Sequence, residues 1–228
     1  MDNQEKTLKT YEKNFEKYFT ETPSEVSGDF KVFFDHLISL LPTNAKMLEI
    51  GSGTGRDADY FESHGIKVTR TDVVSSFIEY QRNNGRTISQ FNILTDEIEE
   101  KWDLVFANAV LLHFNVEQFS LILKKIVSAL NPTGLIAFTV KTGEGEEWSV
   151  HKMESPRFFK YWNKEKLQKA VEHCGFKIRK LELVTDDTKD CYVLQHFKFT
   201  KEKTTLIGGF FIYHLCIRSC ERNMRITP

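Results

Sequence analysis

The chain has 228 residues, enough for one domain with a well-buried core. Its composition, 40% apolar and 28% charged with 19 Phe, is that of a packed globular protein and excludes a disordered chain. A formal net charge of −1 excludes a global attraction to nucleic acid or to an anionic membrane, so such a partner would need a local basic patch.

In chain order, the opening MDNQEKTLKT is polar and holds no apolar segment of the secretory kind. An amphipathic helix follows, because Tyr11, Phe15, Tyr18 and Phe19 recur at helical spacing on one face. TETPSEVSGD breaks it with Pro23 and Gly28, and a second helix then carries Phe30, Phe33, Phe34, Leu37 and Leu41 on one stripe up to Pro42. An aromatic face followed by a breaker makes residues 1–42 an expected lid with a hinge.

From Lys46 the pattern changes to short apolar runs alternating with amphipathic helices, the mark of a parallel α/β sheet. Strands are expected near 47–50, 66–71, 87–91, 103–108 and 135–140, with two more near 176–184 and 191–200. Between the fourth and fifth, Val116, Phe119, Ile122, Leu123, Ile126, Val127 and Leu130 form the buried face of one helix, ended by NPTG. NKEKLQKAVEHCG reads as another helix, capped by Asn163 and stopped at Gly175. We expect one domain over 1–202 and a C-terminal extension over 203–228. The longest apolar stretch, from Leu206, is too short for the ~20 residues of a membrane span. Four cysteines, Cys174, Cys191, Cys216 and Cys220, form no CxxC pair and suit reduced thiols in a cytoplasmic protein. A zinc site at His214, Cys216 and Cys220 falls short of the four spaced ligands that structural zinc wants, and no metal is expected.

The chemistry is carried by a strand, then Gly51, Gly53 and Gly55 in alternation, then a helix, then a strand ending at Asp72. Glycines at such a turn let the backbone come close to a ligand beyond the carboxyl ends of the strands. A nicotinamide-type GxGxxG would need glycine where Arg56 stands, which disfavours an oxidoreductase. The acid Glu49, two residues before the turn, suits a ligand with a cationic amino acid group better than a pyrophosphate.

With LEIGSGTG, TRTD and WDLVFANAVLLHF on the page, the chain resembles the class I S-adenosylmethionine-dependent methyltransferases, and ANAVLLH with KTGEG is similar to a bacterial subgroup acting on small molecules. The resemblance covers Tyr11 to Thr200 and implies an α/β fold, a seven-stranded, mostly parallel Rossmann-like sheet with helices on both faces. It also implies S-adenosyl-L-methionine as cofactor, with Gly51, Ser52 and Gly53 lining its methionine part and Asp72 taking both ribose hydroxyls. Glu49, where the family more often has Asp, belongs to the same set, as do Tyr11, Arg56 and Val73. Asn92, in place of the usual Asp, and Ile93 would flank adenine, and Asn108, Ala109 and Leu112 would lie where cofactor and acceptor meet. His113 is the expected catalytic residue, orienting the acceptor or taking its proton, and Lys141 and Glu144 are expected to touch the acceptor.

A small-molecule methyl acceptor, no membrane and a monomer or homodimer complete this reading. The alternatives are an RNA or protein acceptor and a cofactor-binding module without activity. Lys198, Lys201, Lys203, Arg218, Arg222 and Arg225 against Glu202 and Glu221 form the one local basic excess that would serve RNA. A solvated tail explains that excess more simply, so nucleic acid is not the expected partner.

Overall fold

Apolar runs of five or six residues become strands wherever a helix on each side can cover them. The computed structural model describes residues 3–185 and 191–198. Helices α1 (Asn3–Lys13), α2 (Phe15–Glu21) and α3 (Gly28–Leu40) precede the alternating part: β1 (Lys46–Ile50), α4 (Arg56–Ser63), β2 (Lys67–Asp72), α5 (Ser75–Asn83), β3 (Ile88–Gln90) and β4 (Trp102–Ala107). A single 3-10 turn (Leu111–His113) leads to α6 (Val116–Ala129), β5 (Leu130–Thr142), β6 (Glu146–Ser149), β7 (Arg157–Trp162), α7 (Lys164–His173), β8 (Lys177–Thr185) and β9 (Cys191–Lys198).

The strands run in the order β3-β2-β1-β4-β5, all parallel. Beyond β5, β9 is antiparallel to it and β8 is antiparallel to β9, which completes the seven expected strands. Order reverses between β1 and β4, the switch point at which a sheet of this kind opens a crevice for a ligand. Alternation along the central strands serves two cores. Leu48, Ile50, Val105, Ala107, Ile136 and Phe138 meet α6 and α7, while Met47, Leu104, Phe106, Leu135 and Ala137 meet α3 and α4.

Three features depart from the expectation. Two further strands, β6 and β7, form an antiparallel pair where no strand was expected, and β7 joins the end of β5 through Lys141–Tyr161 and Thr142–Trp162. The aromatic first helix is two helices, α1 and α2, interrupted at Asn14, whose side-chain amide donates to the Thr10 carbonyl. That competing local bond is how an asparagine ends a helix. Val116, expected on the buried face of α6, is exposed because it opens the helix at its solvent end. The cap read from sequence forms, Asn163 accepting from the Lys166 N–H, and the structure adds a capping box of Asn115 and Gln118 at the start of α6. The extension from 203 onward, with His214, Cys216 and Cys220, lies outside the described residues.

Phe34 holds α3 on the sheet. It is wholly buried, stacked on Phe61 with ring centroids 5.0 Å apart and edge-on to Phe106 at 5.2 Å. Phe34→Ala is expected to lower the unfolding free energy by about 3–5 kcal/mol in a urea titration. A loss under about 1 kcal/mol would mean that the core closes without this ring.

Candidate cofactor and acceptor site

The turn after β1 needs its glycines for conformation and for space. Gly51, Gly53 and Gly55 have φ of 70°, 55° and 87°, in the left-handed region that side chains strain. A Cβ on Gly51 would lie 2.5 Å from a methyl of Val110, and one on Gly55 would lie 2.8 Å from Arg70 and 2.9 Å from Gln81. Asp72, at the end of β2, fixes the turn from the other side. Its carboxylate accepts from the backbone N–H of Gly53 at 2.8 Å, Val73 at 2.7 Å and Val74 at 2.9 Å. A carboxylate has about four acceptor positions, so capacity remains for a diol. Burial raises the Asp72 pKa against these three donors, which favour its charge.

Gln81 of α5, wholly buried, braces the turn from beneath: its amide donates to Ser52 Oγ at 3.0 Å and to the Gly53 carbonyl at 2.9 Å. Arg70 donates to the Gly55 carbonyl and to Gln81, and is itself anchored by Asp59 and Glu62. Neither Gln81 nor Arg70 stood out in the sequence, since nothing in their spacing separates them from surface polar residues.

A second chain of bonds begins at Arg56, whose Nε donates to Asp57 at 2.7 Å. Asn108 donates to the other oxygen of Asp57, Thr139 donates to Asn108, and the Ala109 N–H donates to Thr139. This series holds Ala109 at φ 55°, an uncommon conformation for a residue with a Cβ. Glu49 is buried beside it with one oxygen lacking a partner. Its pKa is raised to about 8, first by burial and then by the neighbouring Asp57.

A cavity of about 70 Å³ opens at the switch point, lined by Gly51, Val73, Asn92, Ile93, Val110, Tyr11 and His113 among others. Asn92 and Ile93 thus reach it, although the Asn92 side-chain Oδ1 already accepts from the Leu94 N–H. Lys125 of α6 locks that loop by donating to the carbonyls of Ile93, Leu94 and Asp96. Leu112 instead packs in the core, and its neighbour Val110 faces the glycine turn. Glu144 is exposed and bonds to Asn163, the cap of α7, away from this cavity. Lys141 lies over the Phe159 ring, its Nζ 4.8 Å from the centroid.

The wall opposite the glycines comes from α1, α2 and β7. Tyr18 covers Gly53, with its hydroxyl 3.7 Å from where a Cβ would stand, and packs on Phe77 with Tyr11 and Phe15. The Tyr11 hydroxyl lies 2.8 Å from His113 Nε2, and His113 Nδ1 lies 2.7 Å from the Phe158 carbonyl. A carbonyl only accepts, so Nδ1 carries the proton and Nε2 accepts from Tyr11. Burial holds the His113 ring neutral, lowering its pKa to about 3. Arg157 donates to the Tyr11 hydroxyl at 3.2 Å. Thr7 accepts from the Phe158 N–H and Thr10 donates to the Pro156 carbonyl, so α1 and β7 form one unit.

The raised pKa of Glu49 has a sign that stability can report. Between 4.5 and about 8 the folded chain keeps a proton that the unfolded chain has lost, so stability falls as pH rises through that window. Thermal melts of the ligand-free protein are expected to show this fall, and Glu49→Gln, neutral throughout, is expected to lack it. Parallel pH profiles for the two proteins would contradict the burial argument.

Residues 48–136 match the family model described as a methyltransferase domain. A phosphoethanolamine N-methyltransferase of Plasmodium falciparum is 29% identical over 160 residues, which are 66% of this chain and 59% of that protein. The chain thus spans about three fifths of the length of that curated relative. Among solved structures, a Burkholderia thailandensis 1,6-didemethyltoxoflavin-N1-methyltransferase aligns with a TM-score of 0.65 at 18% identity, over 88% of this chain and 92% of its own. N-methyltransferase NodS of Bradyrhizobium japonicum, in complex with S-adenosylhomocysteine, aligns with 0.62 at 18% identity, over 88% and 100%. Such structural likeness speaks for the fold. Among the described residues no helix is long and apolar enough to cross a membrane. Residues 48–136 thus match a methyltransferase-domain model, and the fold around them is like that of solved S-adenosylmethionine-dependent methyltransferases.

Proposed function

We propose that this chain transfers a methyl group from S-adenosyl-L-methionine to a nitrogen of a small molecule. The observation that carries the reading is the left-handed glycine turn held against the Asp72 carboxylate, where a Cβ on Gly51 would strike Val110. The residues fit the cofactor in kind. Gly51, Ser52 and Gly53 offer close backbone approach, Asp72 and Val73 would hold the ribose, and Asn92 and Ile93 would flank adenine. The unpartnered oxygen of Glu49 is an acceptor for the cationic amino acid end, with Arg56, Asn108 and Ala109 fixing the ground around it. When bound, the cofactor supplies an electrophilic methyl group on a positively charged sulfur. Nitrogen is the site of transfer that the names of the Plasmodium, Burkholderia and Bradyrhizobium proteins share.

The chain's own contribution is alignment and exclusion of water, since the leaving group of methyl transfer is neutral. Tyr11 faces the cavity and is held by His113 on one side and Arg157 on the other. His113 has both ring nitrogens engaged and stays neutral, so it acts on the acceptor through Tyr11 and not as a free base. Helices α1 and α2 supply the closing wall.

Calorimetry with S-adenosylhomocysteine is expected to show binding that Gly51→Arg abolishes and Asp72→Ala weakens. Unchanged affinity in both variants would remove this site. Tyr11→Phe is expected to lower kcat about tenfold while cofactor affinity stays within a few-fold, the pattern of a group used in the transition state. A collapse of affinity with unchanged kcat would place Tyr11 with the cofactor alone. Hydrogen exchange over residues 8–22 is expected to slow on cofactor binding, as a closing lid requires. Equally slow exchange in both states would make α1 and α2 a fixed wall.

A further inference from the structure

Arg157, the first residue of β7, carries a buried charge that no carboxylate among the described residues balances. Its side chain is more than nine-tenths buried. One terminal nitrogen donates to the Tyr11 hydroxyl at 3.2 Å, the other donates to the His151 carbonyl at 2.7 Å, and Nε has no partner. The guanidinium lies over two rings, 5.0 Å from the centroid of Phe159 and 5.5 Å from that of Tyr11. Among the described residues no carboxylate pairs with it, whereas Arg56 and Arg86 each hold one and Arg70 holds two.

Burying a cation is costly unless an anion repays the lost hydration. The hydrogen bonds to Tyr11 and His151 need only a neutral amide, and the two cation–π contacts repay only part of the cost of burying a charge. What remains unexplained is the charge together with the free N–H. Lys141 lies against the other neighbour of this guanidinium, the Phe159 ring, and Arg157 and Lys141 are the two cations that push the His113 pKa down. Their fields therefore converge on the Tyr11–His113 pair, on the acceptor side of the cavity. The buried acids Glu49, Asp57 and Asp72 gather around the glycine turn.

We propose that Arg157 binds an oxyanion group of the methyl acceptor, so that the acceptor carries a carboxylate or a phosphate in addition to its nucleophile. The planar fork of N–H groups suits either oxyanion, and burial strengthens the charge-assisted bond. The assignment rests on the methyltransferase reading, because it supposes that the wall formed by Tyr11, His113 and Arg157 receives the acceptor.

The full chain, saturated with S-adenosylhomocysteine, is titrated with inorganic phosphate and separately with acetate at constant ionic strength. Broadening of the phosphorus resonance and saturation transfer to the acetate methyl report the two anions. The wild type is expected to bind at least one of them. Arg157→Gln is expected to weaken that binding about tenfold or more, and Arg157→Lys, which keeps the charge without the fork, by less. Cofactor affinity, measured by calorimetry on the same samples, is expected to stay within about twofold, which also certifies that the variants fold. Binding of phosphate alone assigns a phosphate-bearing acceptor, and binding of acetate alone assigns a carboxylate. Equal anion binding in wild type and in whichever variant folds, or no anion binding by a wild type that binds the cofactor, overturns the proposal. A wild type that fails to bind S-adenosylhomocysteine overturns the methyltransferase reading itself.

Discussion

The carboxylate of Asp72 is the constraint on which the rest of the site depends. It accepts from Gly53 on one side and from Val73 and Val74 on the other, so one side chain ties the turn after β1 to the end of β2. Parallel strands on their own leave their carboxyl ends splayed. Here the turn is closed from above by Asp72 and from below by Gln81 and Arg70, and its three glycines take left-handed conformations that residues with side chains would be strained to adopt.

The second wall is assembled from parts far apart in sequence. Thr10 reaches Pro156, Thr7 reaches Phe158 and Tyr11 reaches Arg157, so the N-terminal helix and the β6–β7 pair form a single surface facing the glycine turn. Lys17 pairs with Glu154, and Lys152 donates to Thr22, which extends the same seam along α2. Lys152 and Glu154 both sit at positive φ, 70° and 53°, so the loop that meets the lid is itself held in a strained form. A movement of α1 must therefore carry Tyr11 away from both His113 and Arg157.

The sheet was legible in the sequence because its strands are short runs set between amphipathic helices, and of the two that build the turn one is followed by Gly51 and the other ends in Asp72. LEIGSGTG and TRTD announced the turn and its partner for the same reason: left-handed backbone demands glycine, and a buried strand-end acid demands N–H donors. The β6–β7 pair was not legible. EEWS is too polar to read as a strand, and the sequence around it favours a solvated loop; only pairing with RFFKYW, which itself joins the tip of β5, makes it one. The break at Asn14 was hidden by an aromatic spacing that stays helical on both sides. Gln81, Arg157 and Lys125 were invisible because their importance lies in contacts, not in pattern: a buried glutamine and an exposed one are written with the same letter.

The charges of the site separate across the cavity. Around the glycine turn Glu49, Asp57 and Asp72 gather, and crowding with burial raises the Glu49 pKa until it holds a proton near neutrality. On the other wall Arg157 and Lys141 flank Phe159, and their charge together with burial keeps His113 neutral. A cationic cofactor approaching the acidic side relieves repulsion there and draws Glu49 toward its charged form. An acceptor approaching the basic side is oriented by whatever negative charge it carries. In the proposed reading the two walls would favour a cationic methyl donor on one side and an anionic acceptor on the other, and a reaction whose leaving group is neutral asks of the protein chiefly alignment and a dry cavity.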